Sequence, residues 1–600
     1  MTSISLDSLL QQAAVSAVAR SFGAQVSTSD IAVQRTRKEF PGDRTLVVFP
    51  LTRWTKLTPE ATAEALGKAL LDSLPELQSY HVVKGFLNLT MRPTYWLTAL
   101  EKAWEDRRFG LESPGSRSQV MVEYSSPNTN KPLHLGHLRN NFLGYAVAQI
   151  LEAVGHEVVK VQIINDRGIH ICKSMWAWQH LGNGETPESS GLKGDKLVGK
   201  YYVAFDQQYK KEVAERVEKG MAEEDAKSQA PCLLAAQELL RRWEAGDAEV
   251  MALWQRMNAW VYAGFDVTYR EMGVDFDRLY FESETYALGR EEVQKGLASG
   301  VFFKKPDGSV WIDLTEEGWD EKLLLRKDGT TVYITQDIGT ALQRYRDFPK
   351  LERQIYTVGN EQEYHFKVLF AILKHLGVPH AERNFHLSYG MVNLPEGRMK
   401  SREGTVVDAD DLMAEMASTA KSMAEERGKL EGLDEAQREK LFKQVGYGAL
   451  KYFLLKVSPS KDMLFDPAAS IDFIGNTGPF IQFNFVRIAS VLRSAGVQWD
   501  SPVIATGNAD GLDAMELDLI QLCLEYPNII QSAAEAYDPS LIANYAYELS
   551  KGFSSWYQDH SILQEPNSQL RALRLQIALL CGRNIQSSMG LLGIEMPDRM

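Results

Sequence analysis

The chain has 600 residues, of which 44% are hydrophobic and 24% charged, and carries a formal net charge of −14. That composition is globular, too long for one core and suited to about three or four domains. It contains no run near the roughly 20 apolar residues of a membrane span, and so acidic a chain can bind nucleic acid only through local basic patches and base-specific contacts.

The opening segment MTSISLDSLLQQAAVSAVAR lacks the basic cluster and apolar core of a secretory signal and reads as an amphipathic helix. It is followed by IAVQ (31–34), TLVVFP (45–50), a helix over about 59–75 and GFLNLTM (85–91), a small α+β module over residues 1–115. The module holds 13 Lys/Arg and 12 Asp/Glu, so it is far less acidic than the whole, and R-T-R-K (35–38) reads as either a phosphate patch or a solvated strand end. LESPGSRS (111–118) reads as a linker. QVMVEYS (119–125) is a continuous apolar strand; a loop with Pro127 and Pro132 follows, then a helical pattern over about 136–154 and a second strand, VVKVQIIND (158–166). Strand, helix and parallel strand form the βαβ unit of a nucleotide-binding sheet. Further strands are expected at VWIDL (310–314), TTVYITQD (330–337), RQIYTVG (353–359) and FHLSYGMV (385–392), completing a domain over 116–410. A helical insertion, about 196–275, interrupts it, with Trp243, Trp254 and Trp260 spaced for packing. Beyond lie a helical connector (411–465) and an all-α domain (466–600) with 7 Lys/Arg against 15 Asp/Glu. The cysteines Cys172, Cys232, Cys523 and Cys581 are scattered without a C-x-x-C pair, which argues against a zinc knuckle or disulfide framework and fits free thiols in a reducing cytoplasm.

The strongest chemical signal is His134-Leu135-Gly136-His137, at the strand–loop–helix junction of the first βαβ unit. Imidazoles three residues apart at a helix start point the same way, and the backbone N–H groups and dipole there favour an anion. Gly136 lets a ring or phosphate approach the backbone. Such donors suit adenylate formation, where charge builds on the α-phosphate and the leaving pyrophosphate. A bare H-x-G-H also arises by chance, with structural or metal-binding histidines; the apolar strand before it and the helix after it favour the catalytic reading.

The longer string V-E-Y-S-S-P-N-T-N-K-P-L-H-L-G-H-L-R-N (122–140) closely resembles the signature of arginyl-tRNA synthetases around their HIGH motif. The resemblance continues through I-N-D-R-G (164–168), Y-I-T-Q-D-I-G (333–339) and the terminal M-P-D-R-M (596–600). It implies a class I fold: a Rossmann-like parallel-sheet catalytic domain, a small N-terminal α+β domain touching the tRNA elbow and an all-α C-terminal anticodon-binding domain. It implies ATP with Mg²⁺, L-arginine and tRNA(Arg) as substrates, no zinc, no membrane association and a cytoplasmic monomer.

The family's KMSKS loop aligns with G-R-M-K-S-R-E-G-T (397–405), where Ser401 replaces the second lysine. The resemblance then assigns pyrophosphate to Lys131, Lys400 and Arg402, with Arg398, Met399 and Ser401 completing the ATP-binding loop beside His134, Gly136 and His137. It assigns the guanidinium end of arginine to Asp337 and Tyr333, and the amine and carboxylate to Glu123, Asn128 and Gln362. The Tyr333 and Asp337 spacing fits a strand end turning into a helix, with Gly339 supporting the turn. A carboxylate site rejects smaller amino acids without proofreading, because the wrong side chain leaves buried charge unpaired. The insertion is accordingly read as structural or as acceptor-stem packing. Tyr545, Tyr547, Trp556 and Tyr557 are the candidates for stacking on RNA bases, although for any one of them a core position is the commoner use. Two alternatives stay open: a cysteinyl-type synthetase, disfavoured by the scattered cysteines, and a non-catalytic tRNA-binding paralogue, kept alive by the altered KMSKS loop. A small nucleotidyltransferase sharing H-x-G-H gives no reason for the two extra domains.

Overall fold

The computed structural model describes residues 6–37, 39–393, 407–427, 432–501 and 512–600. The chain divides into two compact units, one of Met1–Gly110, Arg487–Ile529 and Glu548–Ile585, the other of Leu111–Val486, Ile530–Tyr547 and Gln586–Met600.

In the first unit, β1 (Ala32–Arg35), β2 (Arg44–Val47), β3 (Leu77–Val83) and β4 (Phe86–Met91) form an antiparallel sheet in the order β1-β2-β4-β3. The helices Leu6–Phe22 and Pro59–Ser73 flank it in sequence. β3 is absent from the sequence reading because LQSYHVV shows no strict apolar–polar alternation, and only Leu77 is buried. It is held as the outer strand of a hairpin turned by Lys84 and Gly85, both at positive φ, the backbone of a tight two-residue turn. The helical segments of this unit bond the same sheet: Gln521 Nε2 donates to Asp43 Oδ1 at 2.7 Å, and Arg44 pairs with both Asp7 and Glu525. Cys523 and Cys581, 58 positions apart, have sulfurs 3.4 Å apart, and all four thiols are buried. Trp556 is fully buried, and Tyr557 stacks on Phe553 with ring centres 5.8 Å apart.

The second unit is built on β5 (Gln119–Glu123), β6 (Glu157–Ile164) and β7 (Arg278–Phe281). A small antiparallel sheet of β8 (Phe303–Lys304), β9 (Val310–Ile312) and β10 (Lys322–Leu325) follows, then β11 (Leu351–Gly359) and β12 (Phe385–Tyr389). The main sheet runs β12-β11-β5-β6-β7, and every neighbouring pair is parallel. β5 lies at its centre with Val120 to Glu123 all buried, as its unbroken apolar run requires.

Three expectations change here. VWIDL belongs to the antiparallel sheet rather than the parallel one. Residues 330–337 are not a strand: a helix spans Tyr333–Asp347. The β-branched and aromatic residues there favour a strand locally, but Ile334, Ile338 and Ala341 are buried at helical spacing. The fifth parallel strand, β7, has four residues and lies directly behind the insertion, too short for periodicity to reveal. The insertion itself is helical, with Gly194–Glu218, Pro231–Glu244 and Ala248–Met272 as its main helices. Its tryptophans do pack: Trp243 lies edge-on to Trp254 at 5.5 Å, and Trp260 to Trp178 at 5.7 Å. In this unit Tyr545 is buried, and Tyr547 packs on Phe480 at 5.7 Å.

Candidate active site

β5 leaves the sheet through Ser125, a buried non-glycine residue at φ 59°. A side chain there is disfavoured unless the surroundings fix it, and they do. Ser125 N–H donates to Asn140 Oδ1 at 2.6 Å, its hydroxyl shares a bond of 2.7 Å with the Tyr269 hydroxyl, and Asn141 Nδ2 donates to Ser125 Oγ at 3.2 Å. Asn140 also donates to Thr357 O at 2.6 Å and to the Tyr389 hydroxyl at 3.1 Å. One side chain thus links the carboxyl ends of β5, β11 and β12, the edge where open parallel sheets bind ligands. The loop that follows is braced by Asn165, which donates its N–H to Pro127 O at 2.9 Å and accepts from Thr129 N–H at 3.1 Å.

The loop delivers His134 as the N-cap of the helix Leu135–Ala153. Gly136 N–H donates to His134 Nδ1 at 3.1 Å, and His134 N–H donates to His137 Nδ1 at 3.2 Å. Because both Nδ1 atoms accept, a neutral ring must carry its proton on Nε2. Burial, then the Lys131 cation, lowers His134 to about 4; burial, then His134 and Lys131, holds His137 well below the usual histidine range. At neutral pH the pair therefore presents two uncharged N–H donors, with ring centres 4.0 Å apart. A Cβ on Gly136 would lie 3.0 Å from His134 Cε1 and 3.1 Å from its Nδ1, so a side chain there would press on the His134 ring where it folds back over the helix start.

Across the edge stands a group of carboxylates. Asp337 and Tyr333 lie one helical turn apart at the start of Tyr333–Asp347, so their spacing is met by a helix from its first residue. Gly339 serves a helix crossing rather than a turn: its Cβ would come 2.3 Å from Gly289 N. Asp337 Oδ2 bonds His365 Nε2 at 2.6 Å, and the His365 ring centre is 5.5 Å from that of Tyr333. Glu282, directly after β7, is raised to about 7 by burial, opposed by Arg167 and reinforced by Asp166 and Asp337. Tyr333 is 65% exposed, yet desolvation and then Asp337, Glu282 and Glu123 raise its hydroxyl pKa. These three carboxylates therefore share one electrostatic neighbourhood. Glu123 Oε2 forms a buried ion pair with Arg344 of the same helix. Asn128 and Gln362 are exposed on the loops after β5 and β11.

Residues 103–466 match the family model for "tRNA synthetases class I (R), catalytic domain", and residues 481–600 match the DALR anticodon binding domain. An arginine–tRNA ligase of Bacteroides fragilis is 53% identical over 597 residues, covering 99% of this chain and 100% of that protein. One of Flavobacterium psychrophilum is 52% identical over 609 residues, covering both chains fully. The chain belongs to the arginyl-tRNA synthetase family. The solved arginyl-tRNA synthetase of Thermus thermophilus superposes with a TM-score of 0.82 at 25% identity, over 99% of this chain and 100% of that one. That of Plasmodium falciparum has the same fold, with a TM-score of 0.78 at 18% identity over the whole of both chains.

In arginyl-tRNA synthetase terms, the HIGH segment is accounted for and the KMSKS-like loop is bracketed. Arg398, Met399, Lys400, Ser401 and Arg402 lie outside the described residues. Immediately beyond them, Val407 O accepts from Leu135 N–H at 3.1 Å and Ala409 N–H donates to Leu133 O at 3.0 Å, so the chain leaving the loop runs alongside HIGH. Arg344, which pairs with Glu123, and three further residues of the site escaped the sequence reading. Glu282 follows a strand too short to see; had R-L-Y-F (278–281) been read as a fifth parallel strand, its next residue would have stood at the ligand edge. His365 lies within the N-E-Q-E-Y-H string, whose glutamine alone was singled out. Ser125, followed by a serine and a proline, carries no sequence sign of its positive φ. Asp166 of I-N-D-R-G is a scaffold residue, its carboxylate taking the Ser283 N–H at 2.8 Å, the Ser283 hydroxyl at 2.7 Å and the Tyr262 hydroxyl at 3.1 Å.

Proposed function

We propose that the chain is an arginine–tRNA ligase: it condenses L-arginine with ATP to arginyl-adenylate, releasing pyrophosphate, and transfers the arginyl group to the terminal ribose of tRNA(Arg), releasing AMP. The observation that carries the assignment of the site is the meeting, at one sheet edge, of two uncharged imidazole donors and a cluster of carboxylates. The first suits charge developing on phosphate oxygens. The second suits a guanidinium, whose planar fork of donors is met by carboxylates.

In this reading Asp337, with Tyr333 and Glu282, holds the guanidinium. Asn128 and Gln362 orient the amine and carboxylate, and Glu123 contributes its charge to the pocket while Arg344 fixes its position. His365 orients Asp337. The arginine carboxylate attacks the α-phosphorus of ATP; His134 and His137 donate through Nε2 to its oxygens. Lys131 and the 398–402 segment draw pyrophosphate away. Mg²⁺ enters on the ATP phosphates, which supply the hard oxygen ligands it prefers. The domain limits 1–115, 116–410, 411–465 and 466–600 then divide the labour into elbow contact, catalysis, connection and anticodon reading, in a cytoplasmic monomer. The test is arginine-dependent ATP–pyrophosphate exchange with and without tRNA(Arg), with cysteine and lysine as controls. Exchange with arginine alone among the three supports the reading; a folded protein that exchanges with none overturns it.

A further inference from the structure

A second recess opens in the same unit, between the end of the helix Ala248–Met272, the helix Glu435–Leu455 and the chain's last turn at 593–595. Its volume is about 430 Å³, within the range of small-molecule sites, and none of its lining residues belongs to the active site described above.

Lys451 forms part of its wall and is only 7% exposed. An ammonium has three N–H donors; here it donates to the carbonyl of Gly593, and the Phe142 ring centre lies 5.4 Å away. Among the described residues no carboxylate forms an ion pair with it. Glu595 supports its charge only through the field, and burial prevails, lowering Lys451 to about 8. Glycines leave room around the ammonium: a Cβ on Gly273 would lie 3.4 Å from Nζ, and one on Gly593 3.7 Å from it.

Arg270, Lys440 and Lys443 also line the recess, against the carboxylates Glu271, Glu439 and Glu595. Glu271 is already engaged by Lys443 at 3.1 Å and by the Tyr447 hydroxyl at 3.0 Å, and Glu595 accepts from Gln444 at 2.9 Å. Four cations against three carboxylates leave the lining with one excess positive charge, and its buried member, Lys451, is an ammonium short of acceptors, with Arg270 and Lys440 beside the same space. A buried charge without a counter-charge is costly, and an anion would supply it. We propose that this recess binds a small phosphate anion, as inorganic phosphate or a terminal phosphate group, with Lys451 as its buried contact and Arg270 and Lys440 as its outer ones. Phosphate is favoured over a carboxylate because these three separate cations line the one recess and phosphate offers an oxygen to each. A small or terminal phosphate is favoured over an RNA backbone phosphate because the ammonium is too deeply recessed for a diester flanked by sugars.

The experiment is calorimetric titration of the full chain with inorganic phosphate, for the parent, Lys451→Met and Lys440→Gln, followed by tRNA titrations of the same proteins. The expected result is phosphate binding weakened about tenfold in Lys451→Met and about threefold in Lys440→Gln, as for lost charge-assisted hydrogen bonds, with tRNA affinity unchanged. Lys440 is exposed, so its variant decides the matter if Lys451→Met does not fold. Equal phosphate binding by parent and variants would assign the phosphate to the catalytic site and overturn the proposal. Loss of tRNA affinity without phosphate binding would make the recess an RNA contact and overturn it equally.

Discussion

A histidine that accepts through Nδ1 and is too buried to be protonated offers the active site a donor without a charge. That is the state of His134 and His137, and it separates two measurable effects. Replacing His137 with Asn should lower the turnover of pyrophosphate exchange about 10²- to 10³-fold, the usual cost of removing one donor to a developing oxyanion, with little change in the KM for arginine. The same burial affects folding. A histidine near 6.5 in the unfolded chain but near 4 when folded binds fewer protons in the native state between those values. Stability should therefore fall as pH drops through that window, by up to about 1.4 kcal/mol per pH unit for such a group. Urea midpoints measured from pH 7 to pH 4 should show the loss, and His134→Gln should reduce it. Glu282 behaves oppositely. In the proposed site its carboxyl, raised to about 7, must ionise to meet the guanidinium. Arginine KM should fall as pH rises towards 7, by about tenfold per unit below that value, and level off above it; Glu282→Gln should remove this slope and raise KM at pH 8. A slope that persists in Glu282→Gln would assign the titration to another group.

The helix Tyr333–Asp347 holds Tyr333 and Asp337, the proposed guanidinium contacts, and, through Arg344, the ion pair to the end of β5. Its placement depends on a glycine crossing. Gly289 and Gly339 meet back to back, a Cβ on Gly289 falling 1.8 Å from Thr335 O and one on Gly339 2.3 Å from Gly289 N. Gly339→Ala cannot be accommodated without moving backbone, and should destabilise the protein by about 1–3 kcal/mol, as overpacking does. Because the displaced helix carries Asp337, the variant should also raise the KM for arginine more than that for ATP; equal effects on both would mean the helix does not set the arginine site. This element also marks the limit of sequence reading. The HIGH helix and β6 are visible because each is long enough to show its pattern, and β5 because it is an unbroken apolar run behind a linker. T-T-V-Y-I-T-Q-D reads as a strand because its first six residues all favour strands, whereas the buried stripe of Ile334, Ile338 and Ala341 continues past that window. Candidate site residues are legible where a long motif carries them, as with His134, Gly136 and His137. Residues whose role depends on a contact distant in sequence are not: Arg344 is buried against Glu123 at the end of another element, and Glu282 joins the carboxylates only through sheet order.

The chain contributes three segments to its first compact unit, its N-terminal module and two helical segments near its C-terminus, so a boundary drawn along the sequence does not coincide with a boundary in packing. The contacts that join these segments are polar and specific. Arg44 is 5% exposed between Asp7, on the first helix, and Glu525, at the end of the helix Ala514–Leu524. Arg583 donates to Trp104 O at 3.0 Å and lies 4.0 Å from the centre of that ring. Removing one partner from such a buried network leaves the remaining charges without compensation, which costs more than the network itself contributes. Arg44→Met should therefore destabilise this unit by about 2–3 kcal/mol, with the partial exposure of Asp7 placing it below the range for a fully buried pair. If the N-terminal module and the helical segments form one cooperative body, calorimetry should show a single transition for them that moves to lower temperature as a whole. If instead Arg44→Met lowers only a transition assigned to residues 1–110, and a separate one from the C-terminal segments stays in place, the two fold independently and their contacts are incidental to stability. Glu525→Gln in the Arg44→Met background provides the second arm: relieving the stranded carboxylate should recover part of the loss, as a coupled pair does and an independent surface site does not.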